Sequence, residues 1–318
     1  MMAISRNQPC PCGSGIKYKR CCAKETNKNH VASRDGGLIE LETGHLLPVP
    51  QAMEYAIKLH KAGGINKAQS IYQQILQRNP NSPDALHLCG LANHQLGKHD
   101  LAFNLITRAI AVNPRAAHFH NNLGEVCRIM NRPQDALICY AEALALQPDF
   151  PEVHRNIGLA HLACDNADQA VSLLHEALMH FPGYLGIYWA LGLALMSQGK
   201  TDKAIEIYDK GLAKCPTDST LLCAKGISLK ATGNLSGCIQ HYRCALDVQP
   251  HVPELHHNLA IIFHQQGNVE EAIACLKNEL KLSPQAESAR HLLAARPRRP
   301  GCSPCPWDPS WEPGMCPE

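Results

Sequence analysis

Proline recurs at a fixed interval through most of this chain. Pro80, Pro114, Pro148, Pro182, Pro216, Pro250 and Pro284 stand 34 residues apart, with no insertion between any two. A fixed period of this length is the mark of a solenoid built from one repeated supersecondary unit. Three further columns keep the same register. Twelve residues before each proline the sequence reads Ala68, Ala102, Ala136, Ala170, Ala204, Cys238, Ala272. Seventeen before, it reads Gly63, Gly97, Asn131, Asp165, Gly199, Gly233, Gly267. Twenty-four before, it reads Ala56, Gly90, Gly124, Gly158, Gly192, Gly226, Ala260.

Each column has a physical role. Small residues let two helices approach closely. Gly, Asn and Asp tolerate the left-handed conformation that closes a helix C-terminus. Proline ends a helix because it lacks an N–H and clashes with the preceding turn. The intervening stretches have helical spacing: Ala102, Leu105, Ile106, Ala109 and Ile110 mark one apolar face. Every unit therefore reads as helix–turn–helix, and no strand pattern appears. The expected class is all-α.

These columns resemble the tetratricopeptide repeat. Further matches are Leu123–Val126 (LGEV), Leu191–Leu195 (LGLAL) and the second-helix aromatics Tyr72, Tyr140, Tyr208 and Tyr242. The resemblance covers residues 49–284 as seven repeats and implies a right-handed superhelix with a concave groove lined by the first helices. Residues 285–295 are expected to form a capping helix. In known arrays the columns twenty and twenty-seven before the proline face the groove. They place His60, His94 and His264, then His87, His257 and Trp189, among the expected peptide contacts, with Trp189 as the main anchor. Asn122, Asn156 and Asn258 share the column twenty-six before. In the repeats of O-linked N-acetylglucosamine transferase, asparagines there form a ladder along a bound peptide. Leu88, Ala190 and Ala224 interrupt that column here.

Ahead of the repeats, residues 1–30 are basic: Arg6, Lys17, Lys19, Arg20, Lys24 and Lys28 stand against Glu25 alone. Within them QPCPCGSGIKYKRCC (8–22) sets Cys10 and Cys12 against Cys21 and Cys22. Four thiolates in two close pairs suit one tetrahedral zinc, and leave no open position for catalysis. Gly13 and Gly15 let the loop turn back. The string resembles the SEC-C zinc motif, with Ile16 where lysine is more usual. That motif occurs at the C-terminus of the bacterial preprotein translocase ATPase, where it is a small protein-docking module. The resemblance implies one structural Zn²⁺ held by Cys10, Cys12, Cys21 and Cys22. Residues 31–48 are expected to be a linker.

Composition excludes several alternatives. The formal net charge of the 318 residues is only +2, which gives no basic field for nucleic acid. No apolar run approaches the roughly 18 residues that span a bilayer, and the N-terminus has no signal-peptide core. A cytoplasmic location is expected. Of the 16 cysteines, the nine from Cys89 to Cys275 are expected to be buried free thiols. His175 and His180 are five apart rather than four, so they do not make a zinc-protease helix. Gly192 and Gly199-Lys200-Thr201 have the wrong spacing for a phosphate loop. No catalytic or cofactor-binding residue is assigned.

The expected function is a zinc-binding scaffold that binds a protein or peptide partner in its groove. The alternative is the truncated recruiting arm of a repeat-linked methyltransferase, glycosyltransferase or sulfotransferase, because Ser288–Ala295 resembles the junction into such a domain. Residues 296–318 hold seven of the 22 prolines. They are expected to be a disordered tail, and a reading-frame accident rather than an evolved segment.

Overall fold

The computed structural model describes residues 38–41 and 44–294. Fifteen helices follow a small hairpin, and the class is all-α. The hairpin pairs β1 (Leu38–Glu40) antiparallel with β2 (Leu46–Pro48), Ile39 facing Leu47. It falls within the segment expected as a linker, where three-residue strands leave too little alternation to be legible. Ile39 is fully buried and joins the core of the first helices.

The first helix of each repeat has 13 residues: α1 (Val49–Lys61), α3 (Pro83–Gln95), α5 (Ala117–Ile129), α7 (Pro151–Ala163), α9 (Leu185–Ser197), α11 (Ser219–Ala231) and α13 (Pro253–Gln265). The second helices are α2 (Ile65–Arg78), α4 (His99–Val112), α6 (Pro133–Leu146), α8 (Ala167–His180), α10 (Thr201–Leu212), α12 (Leu235–Val248) and α14 (Val269–Leu282). A short α15 (Glu287–Ala294) follows them. Its Ala289 packs with Ala260 and Leu276.

The columns act as their chemistry requires. Asn131 and Asp165 take φ of 58° and 56°, and Gly63, Gly97, Gly199, Gly233 and Gly267 lie between 73° and 83°. At turns closed by such a residue within one unit, the following N–H reaches back five residues in a Schellman closure: Lys98 to Asn93, Arg132 to Cys127 and Lys200 to Leu195, each at 2.9 Å. The residue before the column proline is extended, as Asn79 (φ −129°, ψ 84°) and Gln249 (φ −130°, ψ 88°) show. The glycines of the fourth column meet the second helix. A Cβ on Gly124 or Gly226 would stand 2.5 Å from the ring of Tyr140 or Tyr242, and one on Gly192 would lie closer still to Tyr208. These tyrosines are among the largest fully buried side chains.

The chain forms two compact units, the first ending at Cys164 and the second beginning at Asp165. In the first, Ala102, Ile106, Val126, Tyr140 and Val153 share one apolar cluster. In the second, Leu222, Tyr242, Leu255 and Phe263 do the same.

Candidate functional site

The expected zinc ligands Cys10, Cys12, Cys21 and Cys22 lie outside the described residues, as does the tail 296–318. Among the described residues no group of three or more His, Cys, Asp or Glu is placed to hold a metal.

In the first unit the first helices are joined by a directional chain of polar side chains. Arg155 donates to Oδ1 of Asn156 at 2.8 Å. Asn156 donates to Oδ1 of Asn121 at 2.9 Å. Asn121 donates to Oδ1 of Asn122 at 3.3 Å. Asn122 donates its Nδ2 to Nε2 of His87 at 2.8 Å. An amide carries both a donor and an acceptor, so it passes the polarity on. Because Asn122 can only donate through Nδ2, His87 accepts through Nε2 and carries its proton on Nδ1. Burial, and secondarily His118, lowers the His87 pKa to about 3. The ring is thus held neutral. It stacks on Phe119 with centroids 4.3 Å apart.

Two expected groove contacts therefore turn out differently. His87 is 5% exposed and Asn156 1%, and their polar atoms are committed inside the protein. They build the wall between neighbouring first helices rather than offering free groups on it. Asn121 and Arg155, which the sequence reading did not name, complete the chain. They occupy the same column as His87, twenty-seven before the proline, so the signal was present. His60 is half-buried; its Nε2 lies 2.8 Å from Gln95 Oε1. His94 is half-buried beside His99, with their Nδ1 atoms 3.1 Å apart.

The second unit offers a different surface. Trp189, Leu193 and Met196 of α9 face Cys223, Ala224 and Ile227 of α11 around an open hollow of about 370 Å³, which Tyr208 and Val252 also line. Leu193 is 40% exposed and Ile227 53%. Trp189 is half-buried in this wall. Further on, His257 Nδ1 is 3.0 Å from the buried Glu279 carboxylate. Asn258 is half-buried on α13. His264 is exposed and borders a smaller hollow of about 150 Å³ with Ile261, Leu276 and Leu292.

The nine described cysteines are free. Three are buried, but Cys244 is exposed, because it lies off the apolar face of α12. Burial raises the thiols of Cys89 and Cys223 to about 11, which disfavours the reactive thiolate.

Comparison with known proteins agrees with this architecture. The SEC-C motif model matches residues 6–24. Tetratricopeptide repeat models match 161–222 and, separately, 117–150 and 253–286. The protein translocase subunit SecA of Aliarcobacter butzleri is 60% identical over 30 residues, 9% of this chain and 3% of the relative. That of Dichelobacter nodosus is 76% identical over 21 residues, 7% and 2% respectively. The chain thus spans a few per cent of the length of these relatives. Among solved structures, a tetratricopeptide repeat protein from Parabacteroides merdae aligns with a TM-score of 0.60 at 16% identity, over 77% of this chain and 97% of that one. The Cut9–Hcn1 structure aligns at 0.57 and 17%, over 76% and 48%. PilW, a type IV pilus biogenesis factor, aligns at 0.56 and 19%, over 66% and 98%. At these identities the likeness is one of fold. The chain carries an SEC-C motif followed by tetratricopeptide repeats.

Proposed function

We propose that this protein is a protein–protein interaction scaffold with two contact regions: a zinc-bearing head and the exposed faces of the first repeat helices. Tetratricopeptide repeats and the fold of the neighbouring structures support a scaffold. The observation that carries the finer reading is the hollow around Trp189. It joins a half-buried tryptophan to exposed Leu193 and Ile227, and an apolar recess ringed by polar surface is the form of a binding hot spot. A large apolar side chain of a protein or peptide partner fits there.

The head contributes Cys10, Cys12, Cys21 and Cys22 as a four-thiolate set for one structural zinc. Its match to short segments of translocase subunits supports a second docking module rather than a catalytic one. The helices supply the buried thiols of Cys89, Cys127 and Cys238 and the neutral, internally bonded His87, and these favour binding over chemistry. No helix among the described residues is long and apolar enough to cross a membrane.

The test is peptide selection against the full chain, followed by titration of the selected peptide. Trp189→Ala is expected to weaken binding at least tenfold, about 1.4 kcal/mol, with helical content unchanged. Equal affinity for wild type and for both Trp189→Ala and Ile227→Asp would remove the hollow from the binding site.

A further inference from the structure

The turn between α3 and α4 brings two histidine nitrogens together. His94 stands in the last turn of α3 and His99 begins α4. Their Nδ1 atoms are 3.1 Å apart, with ring centroids at 5.0 Å and planes inclined by 57°. We propose that His94 and His99 form a two-histidine site for a late divalent transition metal, such as nickel, copper or zinc. Water completes the coordination.

The geometry matches. With metal–nitrogen bonds of about 2.0–2.1 Å, two nitrogens at this separation subtend about 95–102° at the ion. That angle suits adjacent positions of a square-planar or octahedral ion and lies near the tetrahedral value. Imidazole is a preferred ligand of these metals. Without a metal, only one proton fits between the two nitrogens, so one ring must donate and the other accept.

The backbone holds the pair in place. Gly97 at φ +74° reverses the chain between the two residues, and Lys98 N–H closes the turn on Asn93 O at 2.9 Å. Burial is the main cause that lowers the His94 pKa, with His99 next. From α5, Glu125 and Arg128 also face His94. They bond each other at 2.6 Å, so the Arg128 charge beside His94 is offset.

Among the described residues of this unit, no other two histidine nitrogens are paired in this way. Nε2 of His87 is taken by Asn122, and Nε2 of His60 lies against Gln95.

Nickel(II) titrated into the full, zinc-supplied chain and followed by calorimetry tests the site. His94→Ala and His99→Ala should each weaken the tightest nickel step at least tenfold. His175→Ala, on an exposed position of α8, should leave it unchanged. If His94→Ala loses helical content, His99→Gln decides alone, since His99 opens its helix and is only half-buried. Wild-type nickel affinity in the folded His99 variant would overturn the proposal, as would equal loss in His175→Ala.

Discussion

Asn156 Nδ2 and Asn121 Oδ1 meet at 2.9 Å from residues 35 apart in the chain. The repeat is 34 residues long, so neighbouring first helices touch with an offset of one. His87 and Asn122 keep the same offset, as do His60 and Gln95. The links between helices are therefore a product of the repeat geometry, and adjacent pairs on one helix, Asn121 with Asn122 and Arg155 with Asn156, connect them. Asn121 and Asn156 are both nearly fully buried, so each must be satisfied within the protein.

Removing one partner leaves the other buried and unpaired. Asn156→Ala is expected to cost about 1–3 kcal/mol, read by urea denaturation with circular dichroism. The double variant with Asn121→Ala should cost less than the two single losses added together. Additive losses would show that the two amides do not bond.

The close approach of paired helices gives a second prediction. A Cβ at Gly192 meets the Tyr208 ring. Gly192→Ala should destabilise by about 1–3 kcal/mol through overpacking. At Gly199 a Cβ meets nothing, but φ is +73°. Gly199→Ala should cost about 1–2 kcal/mol, from backbone strain alone. Gly199→Asn should recover part of that loss, since Asn131 holds the same column at φ 58°. Full stability in Gly199→Ala would contradict the assigned turn.

The repeat columns made most of this fold legible, because each column encodes a contact that recurs at one period. Proline and the left-handed residues set the helix ends, and the glycines set the pairing of Gly124 with Tyr140. Contacts between successive repeats were harder to read. They join one column to its neighbour, as Asn121 to Asn156, and no single column shows that. So His87 and Asn156 were expected on a free face, whereas a first helix buries part of that face against the next. The hairpin at Leu38–Pro48 was missed because three-residue strands carry no periodicity. The Trp189 hollow was half legible: the tryptophan's column was evident, but the partners Ile227 and Cys223 come from the next repeat.

His87 ties stability to pH. Its pKa is about 6.5 when unfolded and about 3 when folded, where His118, Phe119 and Asn122 surround it. Between those values the unfolded chain binds a proton that the folded one refuses, so stability falls as pH falls through that window. The lowered pKa values of His94 and His161 act in the same direction. The urea midpoint should drop from pH 7 to pH 4, and His87→Gln should flatten part of that slope. An unchanged slope would mean that His87 is solvated.

Metal removal should separate the head from the helices. Structural zinc on four thiolates contributes about 10–16 kcal/mol in small peptides, so its ligands depend on it. The described helices instead rest on apolar clusters of their own, such as Ile106, Val126 and Tyr140 in the first unit and Leu222, Tyr242 and Phe263 in the second. A strong chelator should therefore release about one zinc per chain, with the helical signal and thermal midpoint nearly unchanged. Cys21→Ser with Cys22→Ser should abolish that zinc, and deletion of residues 1–30 should do the same. Collapse of the helical signal on chelation would show that the metal supports the repeats. One zinc retained after the deletion would place its ligands elsewhere.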